Sequence, residues 1–232
     1  MTIEVWSDFV CPFCYIGKRK LEKALSQFSR KNEVKVIFKA YELNPNAPKH
    51  NDKVGYEAFA SLKGVSLAEA KRMNDYVTQM AADYDLFYQM DKAHLTSSFD
   101  AHRLAKWART YNKEKALTEK FMDAYFTKGE NLADYSTLAK LVGEVGLNTD
   151  EALNVLNNGD FEDVVEEEIG MAESFGIRGV PFFVFNRKYA ISGAQPDSQF
   201  LLALNKMAED TPKFESLDTD EEMLCTDEGC EI

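Results

Sequence analysis

Apolar and polar residues alternate near the start of the chain with the two-residue period of a β-strand. The first alternating stretch covers residues 2–6, and a second covers residues 34–38. Between them, apolar residues recur at helical spacing among lysines and glutamates, so we expect a helix that begins near Cys11 or Pro12. Strand, helix and strand in this order predict the opening of a βαβ unit, whose second strand is expected to end at Asn44–Pro45.

The middle of the chain has a helical period throughout. From residue 47 to residue 158, apolar positions recur at helical spacing, and glycines separate the segments: Gly64, Gly129, Gly146 and Gly159. A further helix is predicted for residues 161–176. Residues 179–195 then predict a β-hairpin with its turn near Asn186–Arg187, and a last helix is expected to begin at Pro196 or Asp197.

Strands at both ends and helices in the middle predict an α/β protein in which a large helical insertion interrupts one sheet domain. Two independent domains would split the sheet, so the interrupted domain is favoured. We assign residues 1–46 and 159–210 to the two parts of the sheet domain. The insertion takes residues 47–158, and residues 211–232 form an acidic C-terminal tail.

The charge balance is acidic and uneven. The net charge of the 232-residue chain is −12, and eight carboxylates stand against one lysine in residues 211–232. Phosphate binding requires clustered Lys and Arg, so nucleic acid is not expected as a partner. No apolar stretch approaches the roughly 18–20 residues of a membrane span, and no basic segment followed by an apolar run opens the chain. We therefore expect a cytoplasmic protein without a membrane partner, or one whose signal is missing from this sequence.

The four cysteines form two close pairs, Cys11 with Cys14 and Cys225 with Cys230. In a reducing compartment such pairs are more typical of catalysis or metal binding than of structural disulfides. Cys11 follows a predicted strand and opens a predicted helix. A helix N-terminus stabilises an anion, and Pro12 stands where a missing N–H has no consequence.

This setting predicts a redox pair, because the thiolate is the nucleophile in disulfide exchange. Cys11 is expected to be an exposed, readily ionised nucleophile, and Cys14, one turn further along, the resolving thiol. Phe13 is apolar and is expected to contact the substrate. The alternatives are inert packing and a zinc half-site, which needs a second pair from a compact loop. Because the only other pair lies in the distant tail, no metal is expected.

A second candidate element is Val180–Pro181, just before an apolar strand. Proline is common at the first residue of a strand, which is the structural interpretation. The functional interpretation is a cis peptide beside the dithiol, whose exposed backbone pairs with an extended substrate and which Gly179 allows to approach closely. The neighbouring CPFC segment favours the functional interpretation.

His94 and His102 flank a predicted helix start in the insertion. Core packing is favoured over a general-base role, because disulfide exchange needs no base once the thiolate exists. In the tail, Gly229 eases a turn between Cys225 and Cys230, and the surrounding carboxylates disfavour their thiolates. Three interpretations stay open for that pair: a second redox pair that exchanges with the first, a passive thiol pair, and a four-cysteine metal site.

Four segments together resemble the DsbA-like thioredoxin superfamily, most of all its FrnE-type cytoplasmic oxidoreductases: SDFVCPFCYIG, ELNP, SFDAHRLAKWA and GIRGVPFFVFNRKYAISGAQ. They occur in the family's order across residues 1–210. The resemblance implies a thioredoxin fold with an inserted helical domain and a C-x-x-C active site. It also implies that Cys11 is the nucleophile, Cys14 the resolving cysteine and Pro181 a cis-proline. DsbA carries histidine where Phe13 stands, so a less oxidising potential is expected here.

A sister branch contains the kappa-class glutathione transferases and 2-hydroxychromene-2-carboxylate isomerases, which typically carry serine where Cys11 stands. We therefore expect a thiol–disulfide oxidoreductase that needs no cofactor and reduces, isomerises or oxidises disulfides of protein substrates, with glutathione as a further thiol partner. Two alternatives stay open: a glutathione-dependent transferase or isomerase, and a metal-binding redox sensor.

Overall fold

The computed structural model describes residues 1–211 and the backbone of residues 225–226 and 229–230. Strands from both ends of the chain form one mixed sheet: β1 (Thr2–Ser7), β2 (Lys35–Ala40), β3 (Phe182–Phe185) and β4 (Tyr189–Ser192). Their order is β2-β1-β3-β4, with β1 parallel to β2 and antiparallel to β3. The predicted α/β fold class is confirmed.

The alternation within β1 directs its side chains to two helical layers. Ile3 and Val5 pack against α1 (Pro12–Gln27) and α9 (Asp197–Glu209) on one face of the sheet. Trp6 packs on the other face beside α8 (Glu162–Ser174), and its indole N–H donates a hydrogen bond to the carbonyl of Glu168 at 3.0 Å. Because β1 is central and covered on both faces, its C-terminal end lies in the interior, next to the start of α1.

Between residues 41 and 161, all of which are described, the chain forms six α-helices around a second core. They are α2 (Gly55–Lys63), α3 (Leu67–Ala82), α4 (Phe99–Arg109), α5 (Glu114–Lys128), α6 (Tyr135–Glu144) and α7 (Thr149–Asn158). Leu104, Phe121 and Leu141 are fully buried in this core. Left-handed glycines end three of the helices, as the glycine spacing predicted: Gly64, Gly129 and Gly159.

The segment after β2 differs from the sequence-based prediction. The strand ends at Ala40, before the expected end at Asn44. The chain leaves the sheet there, and the backbone N–H of Leu43 donates to the buried carboxylate of Asp8 at 2.8 Å rather than to a neighbouring strand. Residues 47–54 are not helical either, so the first helix of the insertion begins later than predicted.

The β3–β4 hairpin turns at the predicted place. Asn186 and Arg187 have φ angles of 47° and 52°, the left-handed conformation that a tight hairpin turn requires. The Asn186 side chain accepts a hydrogen bond from the backbone N–H of Thr2 at 2.8 Å, which ties the turn to β1. The last helix follows Pro196 and begins at Asp197, as predicted.

Two ion networks join the insertion to the rest of the molecule. Glu119 of α5 accepts hydrogen bonds from the Tyr15 hydroxyl at 2.6 Å and the Lys18 ammonium at 2.5 Å. Lys106 of α4 pairs with Glu168 of α8 at 2.8 Å. Because both lysines are buried, these pairs fix the insertion against α1 and α8.

The predicted acidic tail falls almost entirely outside the described residues. Two short strands within it, β5 (Cys225–Thr226) and β6 (Gly229–Cys230), pair antiparallel, which places Cys225 opposite Cys230 along the backbone. Within residues 1–211, every helix is too short or too polar to cross a membrane.

Candidate dithiol active site

The CPFC segment forms the first turn of α1. Cys11 is the N-cap residue, with extended backbone angles (φ −94°, ψ 111°), and Pro12 is the first helical residue. The backbone N–H of Cys14 donates to the Cys11 carbonyl at 3.0 Å and closes the turn. Both cysteines are free thiols. The Cys11 side chain thus lies at the helix N-terminus, where unpaired N–H groups and the helix dipole favour an anion.

The prediction that Cys11 is exposed is wrong. Only 2% of this residue is accessible. Its thiol donates a hydrogen bond to the carbonyl of Val180 at 3.5 Å, and the Tyr88 hydroxyl donates to the carbonyl of Pro12, the next residue, at 2.8 Å. Two segments distant in sequence therefore close over the tip of α1. Any reaction partner can reach the Cys11 sulfur only when part of this cover moves.

Cys14 is also buried, and its burial raises the pKa of the thiol. The hydrogen bond with Cys11 and the charge of Cys11 raise this pKa further, whereas the Asp8 N–H, 3.5 Å from the Cys14 sulfur, and the Ser7 hydroxyl lower it. The balance leaves the pKa of Cys14 well above its ordinary value. A neutral thiol does not compete as a nucleophile, which suits a resolving residue.

The loop that covers Cys11 contains a cis peptide bond between Val180 and Pro181. The carbonyl of Pro181 accepts a hydrogen bond from the Gly193 N–H at 2.8 Å, so the loop is held to the segment after β4. Phe13, by contrast, is 38% exposed and lies on the rim of the site. Of the residues predicted to bind substrate, Val180 therefore lies directly at Cys11, and Phe13 faces solvent beside it.

A glycine on α1 positions this loop, and the sequence analysis did not identify it. A Cβ atom on Gly17 would lie 2.9 Å from Cγ of Pro181 and 3.1 Å from Cζ of Phe183. By contrast, a Cβ atom on Gly179 would meet no described atom within 4 Å. Within the chain the close approach therefore occurs at Gly17, and the close approach expected at Gly179 stays a prediction. The signal in the sequence was its position inside α1, two turns after Cys11.

Asp8 is a further buried group beside the dithiol that the sequence analysis missed. Its carboxylate accepts hydrogen bonds from the N–H of Val10 at 3.2 Å and from the N–H of Leu43. His102 of α4 packs its ring 4.5 Å from that of Phe9, with Nε2 3.8 Å from Asp8 Oδ1. His102 is buried in the core, as favoured from the sequence, and Asp8 organises the backbone around the site.

Metal coordination finds no support in the part of the chain that is described. Within residues 1–211, no three His, Cys, Asp or Glu side chains lie close enough together to hold a metal ion. The proposed four-cysteine site involves Cys225 and Cys230, whose side chains lie outside the described residues, so that interpretation stays a prediction.

Comparisons with known proteins identify the family and the fold. The DSBA-like thioredoxin domain family matches residues 2–205 of the chain. A probable DsbA oxidoreductase from Streptomyces coelicolor has 31% sequence identity and a TM-score of 0.87, with 100% of this chain and 99% of that chain covered.

Two more distant structures share the fold. A 2-hydroxychromene-2-carboxylate isomerase has 15% identity and a TM-score of 0.69 over 90% of this chain and 97% of its own. The cytosolic disulfide reductase DsbM from Pseudomonas aeruginosa, in a structure with GSH, has 17% identity and a TM-score of 0.60 over 90% of this chain and 100% of its own. A DsbA oxidoreductase and a 2-hydroxychromene-2-carboxylate isomerase, both named by the sequence resemblance, are thus among the structural neighbours.

Proposed function

This chain belongs to the DSBA-like thioredoxin domain family, and from that premise we propose that it is a thiol–disulfide oxidoreductase acting on protein disulfides. The observation that carries the proposal is the arrangement of the two thiols. Cys11 stands at the N-terminus of α1, and Cys14 lies one turn behind it as a buried, neutral thiol. The helix N-terminus favours the thiolate of Cys11, whereas Cys14 stays protonated until the resolving step.

The proposed reaction has two steps. The Cys11 thiolate attacks one sulfur of a substrate disulfide, which forms a mixed disulfide and releases the other substrate sulfur as a thiolate. Cys14 then loses its proton and attacks the Cys11 sulfur. The Cys11–Cys14 bond forms and the mixed disulfide breaks. The substrate leaves as a dithiol, reduced by two electrons. The reverse sequence oxidises a substrate dithiol.

The covering loop is the proposed binding site for the substrate backbone. In the free protein the Val180 carbonyl accepts the hydrogen bond of the Cys11 thiol. When Cys11 is ionised or bonded to substrate, this carbonyl loses its donor, and a substrate N–H can replace it, as in strand addition. Phe13, exposed on the rim, supplies apolar contact. An extended peptide is therefore the substrate class that this site fits best.

We propose that the enzyme works as a reductase or isomerase in a reducing compartment. Phe13 carries no charge that would favour a very oxidising dithiol, and a reducing pool returns the oxidised pair to the reduced form. Glutathione is the proposed source of these electrons. One structural neighbour is a cytosolic disulfide reductase in a structure with GSH, which motivates this choice.

Insulin reduction tests the proposal. Wild type, Cys11→Ser and Cys14→Ser are compared with glutathione as the reductant, and the zinc content of the same samples is measured. We expect activity in the wild type, none with Cys11→Ser, and a trapped mixed disulfide with Cys14→Ser. Activity that survives Cys11→Ser would falsify the proposed nucleophile, and bound zinc with no reductase activity would identify a metal-binding protein instead.

A glutathione-dependent isomerase or transferase is the second candidate, favoured by the shared fold of the 2-hydroxychromene-2-carboxylate isomerase. Such an activity needs only one sulfur to contact glutathione, so it would survive Cys14→Ser. The intact dithiol favours disulfide exchange, because a buried second thiol has no role in a transferase. Saturable glutathione binding combined with turnover by Cys14→Ser would support the second candidate.

A further inference from the structure

A small cavity lies between the end of the sheet and the insertion. Its volume is about 10 Å³, close to the minimum that holds one water molecule. Ser7 at the end of β1 and Thr118 on α5 both line it. Their side-chain hydroxyls are buried, and neither makes a hydrogen bond to any described atom. The residues are 5% and 2% exposed, so bulk water does not satisfy them.

Two unpaired hydroxyls on one cavity are a specific observation, because buried polar groups are nearly always hydrogen-bonded. An unpaired buried hydroxyl gives up its hydrogen bonds to water and gains none in the folded protein. A water molecule between them satisfies both, provided that it finds two to four polar partners. The cavity wall also includes the polar side chains of His102 and Glu114, which can provide further partners.

One residue of the cavity wall, Ser7, is adjacent in sequence to a residue that contacts the resolving thiol. Ser7 follows Ile3 and Val5 on the face of β1 that packs against α1, by the alternation of a strand. The next residue, Asp8, donates its backbone N–H to the Cys14 sulfur. The Ser7 hydroxyl makes no aligned hydrogen bond to this sulfur in the structure, but it lowers the pKa of the Cys14 thiol. Ser7 therefore lines the cavity and directly precedes the residue whose N–H contacts the Cys14 thiol.

The far wall of the cavity connects to solvent through charged groups. The Glu114 carboxylate accepts hydrogen bonds from Lys106 at 3.1 Å and from Arg109 at 2.8 Å. The Glu114 side chain is partly accessible, and the Arg109 side chain more so. A proton that reaches this wall can pass to bulk water, whereas the Cys14 thiol itself has no such contact.

We propose that this cavity binds one ordered water, held by Ser7 Oγ and Thr118 Oγ1, which carries away the proton of the Cys14 thiol during resolution of the mixed disulfide. The inference rests on the proposed disulfide exchange. Cys14 gives its proton to the Ser7 oxygen as Ser7 passes its own proton to the water, which releases one toward the Glu114 side. The Cys14 sulfur then forms its bond to Cys11, and the substrate sulfur leaves with the electron pair.

Thr118 provides the decisive variants. Thr118→Val keeps the shape of the side chain and removes the hydroxyl, whereas Thr118→Ser keeps the hydroxyl and removes a methyl group. Thr110→Val, at the residue that follows α4, is a control for the same chemical change, because the Thr110 hydroxyl donates to the Trp107 carbonyl instead. Ser7→Ala is a second test of the relay.

The assay is stopped-flow reaction with 5,5′-dithiobis(2-nitrobenzoate). Attack by Cys11 releases the first thionitrobenzoate, and resolution by Cys14 releases the second. We expect Thr118→Val and Ser7→Ala to slow the second release at least about tenfold and to leave the first within about twofold, since proton transfer contributes to the second step alone. Thr118→Ser and Thr110→Val are expected to match the wild type.

A crystal structure that resolves ordered waters is the second measurement. We expect a water within hydrogen-bond distance of both hydroxyls in the wild type and its loss in Thr118→Val. The water relay is overturned if Thr118→Val leaves the second release unchanged, if Thr118→Ser slows it as much as Thr118→Val does, or if the cavity contains no water. In each of these cases the dithiol chemistry still stands. A wild type without a second release contradicts the proposed function itself.

Discussion

The α-carbon of Gly17 faces the Pro181 ring so closely that a methyl group at Gly17 would lie 2.9 Å from Cγ of Pro181. Since Val180 and Pro181 form the loop over Cys11, this contact sets the distance between the loop and the thiol. The first turns of α1 and the loop before β3 are therefore one unit, although they lie at opposite ends of the chain.

Gly17→Ala is expected to displace the Pro181 loop. Overpacking of this kind costs about 1–3 kcal/mol of unfolding free energy, and the shifted Val180 carbonyl loses its hydrogen bond with Cys11. We expect lower stability in urea and slower insulin reduction. Gly170→Ala is the matched control, because Gly170 is also helical but a Cβ atom there meets nothing within 4 Å. That control should raise stability by up to about 1 kcal/mol. Equal effects of the two variants would contradict the contact.

Removal of Tyr88 is expected to open the site. Tyr88 packs in the same core cluster as Cys11, and its hydroxyl donates to the carbonyl of Pro12. We expect Tyr88→Ala to increase the rate of Cys11 alkylation by iodoacetamide about tenfold, as local opening becomes easier. Tyr88→Phe, which keeps the ring, should give a smaller increase. Peptide mass spectrometry identifies the modified cysteine. If the rate of Cys11 alkylation is the same in both variants as in the wild type, Tyr88 does not cover Cys11.

The raised pKa of Cys14 predicts a pH dependence of stability. Burial and the neighbouring Cys11 raise the pKa of this thiol well above 9.0, whereas in the unfolded chain the thiol ionises near that value. The neutral Cys14 thiol therefore makes its full contribution to the unfolding free energy below about pH 9. Above that pH the contribution decreases by about 1.4 kcal/mol per pH unit. We expect the difference in unfolding free energy between reduced wild type and Cys14→Ala to change by this slope above pH 9. A constant difference from pH 7 to pH 10.5 contradicts the burial argument.

Glu119 is expected to stabilise the docking of the insertion. Burial alone raises the pKa of this carboxyl, but hydrogen bonds from Arg19 and Lys18 lower the pKa to about 2 from an ordinary value of 4.5. The Glu119 carboxylate therefore contributes to the unfolding free energy above about pH 4.5, and this contribution disappears as the pH falls toward 2. Because the side chain is 35% exposed, solvent screening limits the contribution to about 1–2 kcal/mol.

Glu119→Gln should therefore lower the unfolding free energy by about this amount at pH 7 and much less at pH 2.5. Urea titrations at the two pH values measure the difference. Glu166→Gln on the exposed side of α8 is the control and is expected to be neutral at both. A loss from Glu119→Gln that is equal at both pH values would mean that packing, rather than charge, holds the insertion.

The second cysteine pair can be tested independently of the first. Cys225 and Cys230 lie opposite one another along the paired backbone, a spacing that a disulfide can bridge. If they exchange with Cys11 and Cys14, the double variant Cys225→Ser/Cys230→Ser should reduce insulin at least about twofold more slowly and have a shifted reduction potential. Unchanged kinetics and an unchanged potential remove the relay and leave a passive thiol pair.

Patterns within short stretches of sequence predicted most of the elements correctly. The alternation in residues 34–38 marked β2, and Asn186–Arg187 marked the hairpin turn. The same reasoning misjudged the end of β2, because the Leu43 N–H bonds to Asp8, a residue far away in sequence. Local patterns report backbone preference, and they fail where a distant side chain provides the hydrogen-bond partner.

The amino-acid sequence by itself determined that a dithiol opens the first helix after a strand, because strand period, helix period and the Cys-Pro-Phe-Cys spacing all arise between neighbours in the chain. Only the tertiary structure decided how far Cys11 is accessible, which glycine packs against the Pro181 loop, and that Ser7 and Thr118 share a cavity. These properties depend on atoms that folding brings together from separate segments. The burial of a side chain and its close contacts depend on all the atoms around it, and no single stretch of the chain contains all of those atoms.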